Sequence, residues 1–191
     1  MTQKRVPRDF NPERVYRRLG EFIVALQWFE DTLLDMITKL VAPERFFAAR
    51  AAFLSMRFAE KIRVAEHMFL QVVEELGREG DSLAAQWSET FREICNRLTK
   101  LNEQRNKVVH SSYVELMAGG ALKGIVLAKE RIKRGAALHD YSDPIDELDS
   151  ALRGAGALAL ELSRAATQVT HWAGRRRAIP KNDDVPDRKK K

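Results

Sequence analysis

Residues 11–43 read "NPERVYRRLGEFIVALQWFEDTLLDMITKLVAP", and the period of the apolar residues in this stretch decides the class of fold. Val15, Leu19, Phe22, Leu26, Phe29, Leu33, Ile37 and Leu40 recur in steps of three and four, which places them on one face of a helix. Asn11 is suited to cap free backbone amides, and Pro12 tolerates the first helical position because its missing N–H has no intrahelical partner. Pro43 stops the pattern. The spacing predicts one long amphipathic helix over about 11–41.

The same period returns three times. Phe47, Ala51, Leu54, Phe58, Ile62, Ala65, Phe69, Val72 and Leu76 predict a second helix over about 44–77, with Gly77 as its left-handed terminator. After the short "REGDS" connection, Leu83, Trp87, Phe91, Ile94, Leu98, Leu101, Arg105 and Val108 form a third stripe, in which one member is an arginine. Asp143 and Pro144 then repeat the start signal of the first helix, with Asp146 and Glu147 placed to complement the helix dipole. Ile145, Leu148, Leu152, Ala155, Ala159, Leu162, Ala166 and Val169 make the fourth stripe, which keeps its register through Gly154 and Gly156. Between the third and fourth stripes, "YVELMAGGALKGIVLA" has β-prone residues on both sides of Gly119 and Gly120, the composition of a hairpin. The expectation is an all-α fold: a four-helix bundle with a β-hairpin inserted before the last long helix. The small residues of "AARAAF" and "RGAGALA" are expected to let helices of the bundle approach closely.

At 191 residues the chain suits one domain with a real core. The composition, 45% hydrophobic and 31% charged, excludes a disordered or collagen-like chain. Cys95 is the single cysteine, so no internal disulfide forms, and the expected setting is cytoplasmic. No stretch is long and apolar enough to suggest a membrane span. The formal charge of +6 invites a nucleic-acid reading, but its distribution weakens that inference. Residues 174–191 carry eight Lys or Arg against three Asp, and residues 1–10 carry three against one, which leaves 11–173 at −1. The expected organisation is an N-terminal extension (1–10), a helical domain (11–173) and a basic, disordered tail (174–191), with no specific role assigned to the tail.

Other chemistry has little support. No "HExxH" or "CxxC" spacing occurs and the histidines are scattered, so neither a metal nor another cofactor is expected. No Gly-rich phosphate loop is present. Trp28, Phe29, Trp87 and Phe91 follow helical spacing, which favours core positions over base-stacking platforms.

The chemically suggestive stretch is "LNEQRNKVVHSSY" at 101–113. Arg105 and His110 have four residues between them, a spacing that Arg134 and His139 repeat, so spacing alone identifies nothing. Position does more. Arg105 falls in the apolar stripe of the third helix, where a guanidinium is costly to bury without partners, while Glu103, Asn106 and His110 share an adjacent face. The plain alternative is a polar cluster of Arg105 and Glu103 closing the bundle's end, with His110 at the helix terminus as a partial cation.

On "RNKVVH", the hairpin that follows it and the final amphipathic helix, the chain resembles the HEPN superfamily of small helical-bundle proteins in bacterial toxin, antiphage and RNA-processing systems. The resemblance covers about 11–173 in architecture and six residues in motif, an arginine followed by a polar residue with a histidine five to seven positions after the arginine. It implies metal-independent RNA cleavage with Arg105, Asn106 and His110 as catalytic residues and no cofactor. It also implies a homodimer, and a toxin or antiphage effector restrained by an antitoxin protein. Glu103, Lys107 and Tyr113 are expected to contact the substrate. One departure is that some family toxins place an aromatic two residues after the histidine, whereas Tyr113 follows His110 by three.

These residue types suit the chemistry. A histidine titrates near neutral pH and can move the proton of a ribose 2′-hydroxyl or of a leaving 5′-oxygen. An arginine binds phosphate oxygens with paired donors. A second histidine, supplied by a two-fold mate, would complete an acid–base pair at a composite dimer site. The competing expectations are a noncatalytic HEPN-like module that binds nucleotide or holds a dimer, and a helical interaction protein whose tail contacts nucleic acid.

Overall fold

The computed structural model describes the backbone over residues 12–109, 112–118, 121–133, 136–142 and 144–178, with side chains described over 13–81, 84, 86–108 and 145–174. The described chain is mostly helical. Helix α1 spans Pro12–Val41, a 3-10 turn spans Pro43–Arg45, α2 spans Phe46–Phe53, α3 spans Phe58–Arg78, α4 spans Ser82–Val109 and α5 spans Pro144–Ala178. Between α4 and α5 the backbone is extended over β1 (Ser112–Ala118), β2 (Ala121–Lys133) and β3 (Ala136–Ser142), antiparallel in the order β1-β2-β3.

The first stripe lies inside as its period demands: Val15, Phe22, Leu26, Phe29, Leu33, Ile37 and Leu40 are buried, and Leu19 packs against the same core. Each such side chain contributes about 1.5–3 kcal/mol on leaving water. α1 packs on α3 and α5, and α4 packs on the same two helices from across the core. Cross-helix contacts fix the directions. Lys39 donates to Thr170 Oγ1 (3.1 Å) near the C-terminal ends of α1 and α5, and Arg18 meets Asp149 near their N-terminal ends, so these two helices run parallel. Lys107, in the last turn of α4, meets Glu147 in the first turn of α5, so α4 runs the other way. Two buried polar groups are satisfied within this core. Thr38 Oγ1 donates to the Leu34 carbonyl (2.7 Å), and the buried Lys61 of α3 pairs with Glu30 of α1 (2.9 Å). An unpaired ammonium at that position would cost several kcal/mol, so Glu30 is a condition of burying Lys61.

The second helix departs from its sequence expectation. The stretch 44–77 is not continuous: it divides into the 3-10 turn, α2, a break at 54–57 and α3. The reason lies at Arg57, whose backbone is extended (φ −69°, ψ 155°) and whose N–H donates to Glu60 Oε2 (2.8 Å), an N-terminal cap that starts a new helix. With its own phase, α2 buries none of its residues, and Phe47 is 85% exposed although its spacing placed it in the core. The end of α3 is also displaced. The helix runs through Gly77, and the left-handed residue is Gly80 (φ +89°), whose N–H reaches the Gly77 carbonyl while the Asp81 N–H reaches that of Leu76. These two bonds form a Schellman motif, and glycine serves there because a Cβ disfavours positive φ.

α5 is one helix through Gly154 and Gly156 and continues to Ala178, past the expected domain limit at 173. Both glycines are exposed, and a Cβ on either would meet nothing within 4 Å, so they do not serve close packing inside the core. Trp172, which the fourth stripe did not include, is buried one turn beyond Val169.

Candidate active site

The candidate site lies where α4 ends and α5 begins. Leu98, Leu101 and Val108 are buried, so the core-facing line of α4 continues to its last turn. Arg105 falls on that line, yet it is half-buried and not enclosed. Among the described residues it makes no hydrogen bond or ion pair, including none with Glu103. The polar cluster that would have tied Arg105 to Glu103 is therefore absent among the described residues. Glu103 and Asn106 are exposed beside it.

The candidate residues do not all meet in the described structure. Arg105 and Asn106 share the last two turns of α4, and Glu103 precedes them by less than one turn. Lys107 forms an ion pair with Glu147 of α5, both partners being partly shielded. That pair joins the end of α4 to the first turn of α5 and leaves the Lys107 ammonium already engaged. His110 lies outside the described residues. Tyr113 is described by its backbone, in β1 opposite Leu127 of β2.

Sequence reading missed the ionic cluster next to this end. Asp149 of α5 receives Arg18 (2.9 Å) and Arg14 (3.7 Å) from the first turns of α1. Arg18 also donates to Glu21 (2.7 Å). That hydrogen bond and the charge of Asp149 hold its proton more firmly than in an ordinary guanidinium, so it remains a cation throughout the accessible pH range. Its Nε is buried and near Asp149 Oδ1 without the alignment of a hydrogen bond. The contact is thus a charge pair more than a directed bond. Asp149 joins residues over 130 positions away in sequence, and no local spacing signals such a pairing.

Nucleophilic and metal chemistry find no anchor elsewhere among the described residues. Burial pushes the Cys95 thiol up to about 12, with the charge of Glu66 adding to the effect, so little thiolate exists near neutral pH. No group of three or more His, Cys, Asp or Glu is placed to hold a metal ion among the described residues. No described helix is long and apolar enough to cross a membrane. The chain matches no protein-family model, no curated protein and no solved structure.

Proposed function

We propose that this chain is a metal-independent endoribonuclease of HEPN type, a cytoplasmic toxin or antiphage defence effector restrained by an antitoxin protein. The architecture this reading assumes is a four-helix bundle of α1, α3, α4 and α5 with a β-hairpin inserted before the last long helix. The observation that carries it is Arg105: a half-buried guanidinium on the core-facing line of α4 with no partner among the described residues, five positions before His110. A cation held there without a carboxylate keeps its donors for an external anion, and a phosphodiester fits them.

In this mechanism the ribose 2′-oxygen attacks the adjacent phosphorus while His110 accepts the hydroxyl proton. The bond from phosphorus to the 5′-oxygen breaks, and that oxygen leaves with a proton from the His110 of a two-fold mate. Arg105 neutralises charge on the phosphoryl oxygens as it builds. Asn106 orients the histidine or the phosphate. The products are a 2′,3′-cyclic phosphate and a 5′-hydroxyl, and DNA is inert for want of the 2′-hydroxyl.

The test is cleavage of RNA in EDTA by wild type, Arg105→Ala and His110→Ala, with analysis of the product ends. Each substitution is expected to lower the rate by about 10²–10³-fold, the scale of losing one group that stabilises or transfers charge in the transition state. Helicity should be unchanged. Equal cleavage by all three proteins, or none by a folded wild type across varied RNAs, overturns the assignment, and retained nucleotide binding in the latter case would point to the noncatalytic module.

A further inference from the structure

Helix α1 has two apolar faces, and the core uses one. Beside the buried stripe, Tyr16, Ile23, Val24 and Trp28 are 56%, 43%, 68% and 41% exposed. Single exposed apolar residues are ordinary on any protein, but these fall together. At about 100° per residue, Tyr16 and Ile23 lie within ~20° of each other, and Val24 and Trp28 continue the same surface on one side. The four leave on the order of 300–500 Å² of side chain in water, taking ~150–250 Å² for a whole aromatic side chain. α2 reaches this side of α1 at Asp31 and Asp35, both joined by Arg50, and the face below them stays open.

The charges on α1 say what fits. Its N-terminal half presents Arg14 and Arg17, and Arg17 is exposed with no hydrogen bond or ion pair among the described residues. Its C-terminal half presents Asp31, whose carboxylate is 59% exposed despite its 3.3 Å approach to Arg50. A face that is basic at one end, acidic at the other and apolar between is complementary to itself reversed. We infer that this face is an interface with a second copy of the chain, α1 packed antiparallel on α1 about a two-fold axis near position 22.

In that register Tyr16 lies opposite the partner's Trp28, and Gly20 opposite the partner's Val24. A Cβ on Gly20 would meet nothing within 4 Å, so there is room for a valine to seat there. The same feature accounts for glycine in a helix interior, where it is otherwise unfavourable. Arg17 comes within one turn of the partner's Asp31. Two such faces supply roughly 600–1,000 Å² of apolar surface, enough for the centre of a standard interface of ~1,200–2,000 Å² in total. The inference is independent of the ribonuclease reading. α4 meets the core across α3 and α5, so the α1 face is not the one on which two copies of "RNKVVH" would face each other. With both two-folds in place the assembly is a tetramer, and with the α1 interface alone it is a dimer.

Sedimentation equilibrium of the full chain from about 5 to 100 µM tests this, because the interface is then read as mass against concentration. Val24→Glu is expected to halve the mass of the wild-type assembly with helicity and melting temperature kept, since Val24 is a surface residue within each protomer. Arg17→Glu should raise the dissociation constant at least tenfold, and Arg17→Glu with Asp31→Arg should recover most of that loss. A wild-type monomer at about 100 µM overturns the inference, whether or not a different protein later proves to bind the face. So does an unchanged mass in folded Val24→Glu.

Discussion

The two ends of the helical core are closed by different chemistry. Around Trp172 the closure is apolar: Phe69 stacks on Phe91 with ring centroids 3.9 Å apart and planes 16° from parallel, and it tilts against Trp172 at 5.2 Å. Where α4 ends and α5 begins, the closing contacts are ionic, with Lys107 on Glu147 and Arg14 and Arg18 on Asp149. Apolar packing is strong because it excludes water, and it is lost when a side chain is removed. Partly exposed ion pairs are individually weak, and an incoming charge can compete for either partner. The chain thus places its stability at one end and its exchangeable charges at the other, beside Arg105.

The largest test of that contrast is Phe69→Ala. The substitution removes a fully buried ring that touches two other aromatics, and it should cost about 3–5 kcal/mol, read as a lower urea midpoint at unchanged slope. A loss under about 1 kcal/mol would mean that the apolar end relaxes into the space, and the asymmetry between the ends would disappear.

Cys95, on α4 between the two ends, sharpens where one regime gives way to the other. Its thiol is raised to about 12 from an ordinary value of 9.0, burial being the larger cause. A raised acid pKa stabilises the fold fully below the unfolded value and loses that contribution as pH rises towards the folded one. Cys95 therefore has no effect on stability near pH 7, and its contribution falls by about 1.4 kcal/mol by pH 10. Comparing wild type with Cys95→Ala from pH 8 to 10 isolates this from other alkaline titrations. If the two proteins lose stability in parallel, water reaches Cys95 and the dry part of the core ends above it.

What could be read in the sequence follows the same division. α1, α4 and α5 were legible because a buried face imposes the helical period over seven or more turns, and Val15 through Leu40 obey it. The division of 44–77 was not legible, since neither glycine nor proline marks it. The signal was the carboxylate of Glu60 three residues after Arg57, which becomes a cap when the chain turns there. Trp172 was within reach, lying three positions beyond Val169 on the same face. At the candidate site, the sequence singled out Arg105 because a charge stood in an apolar row. Glu147 was visible as a dipole-complementing acid and not as the partner of Lys107, and the Asp149 pairs were invisible. Ion pairs between distant segments follow from the packing of helices and leave no periodic trace.

The smallest expected effect tests the ionic end itself. Asp149→Asn keeps the shape of the side chain and removes the charge facing Arg14 and Arg18. Its carboxylate is 25% exposed and Arg14 is largely in water, so solvent screening limits the loss to roughly 0.5–1 kcal/mol. In about 1 M salt, where the screening length falls to ~3 Å, the difference between wild type and variant should nearly vanish. The salt response decides the matter, because a hydrogen-bonded structural carboxylate would keep its contribution in high salt, whereas a charge pair loses it. An Asp149→Asn penalty above about 2 kcal/mol that survives 1 M salt would make this end as rigid as the aromatic one. A small, screened penalty would instead leave Arg14 and Arg18 as cations that exchange partners easily, as a surface that meets a polyanion near Arg105 requires.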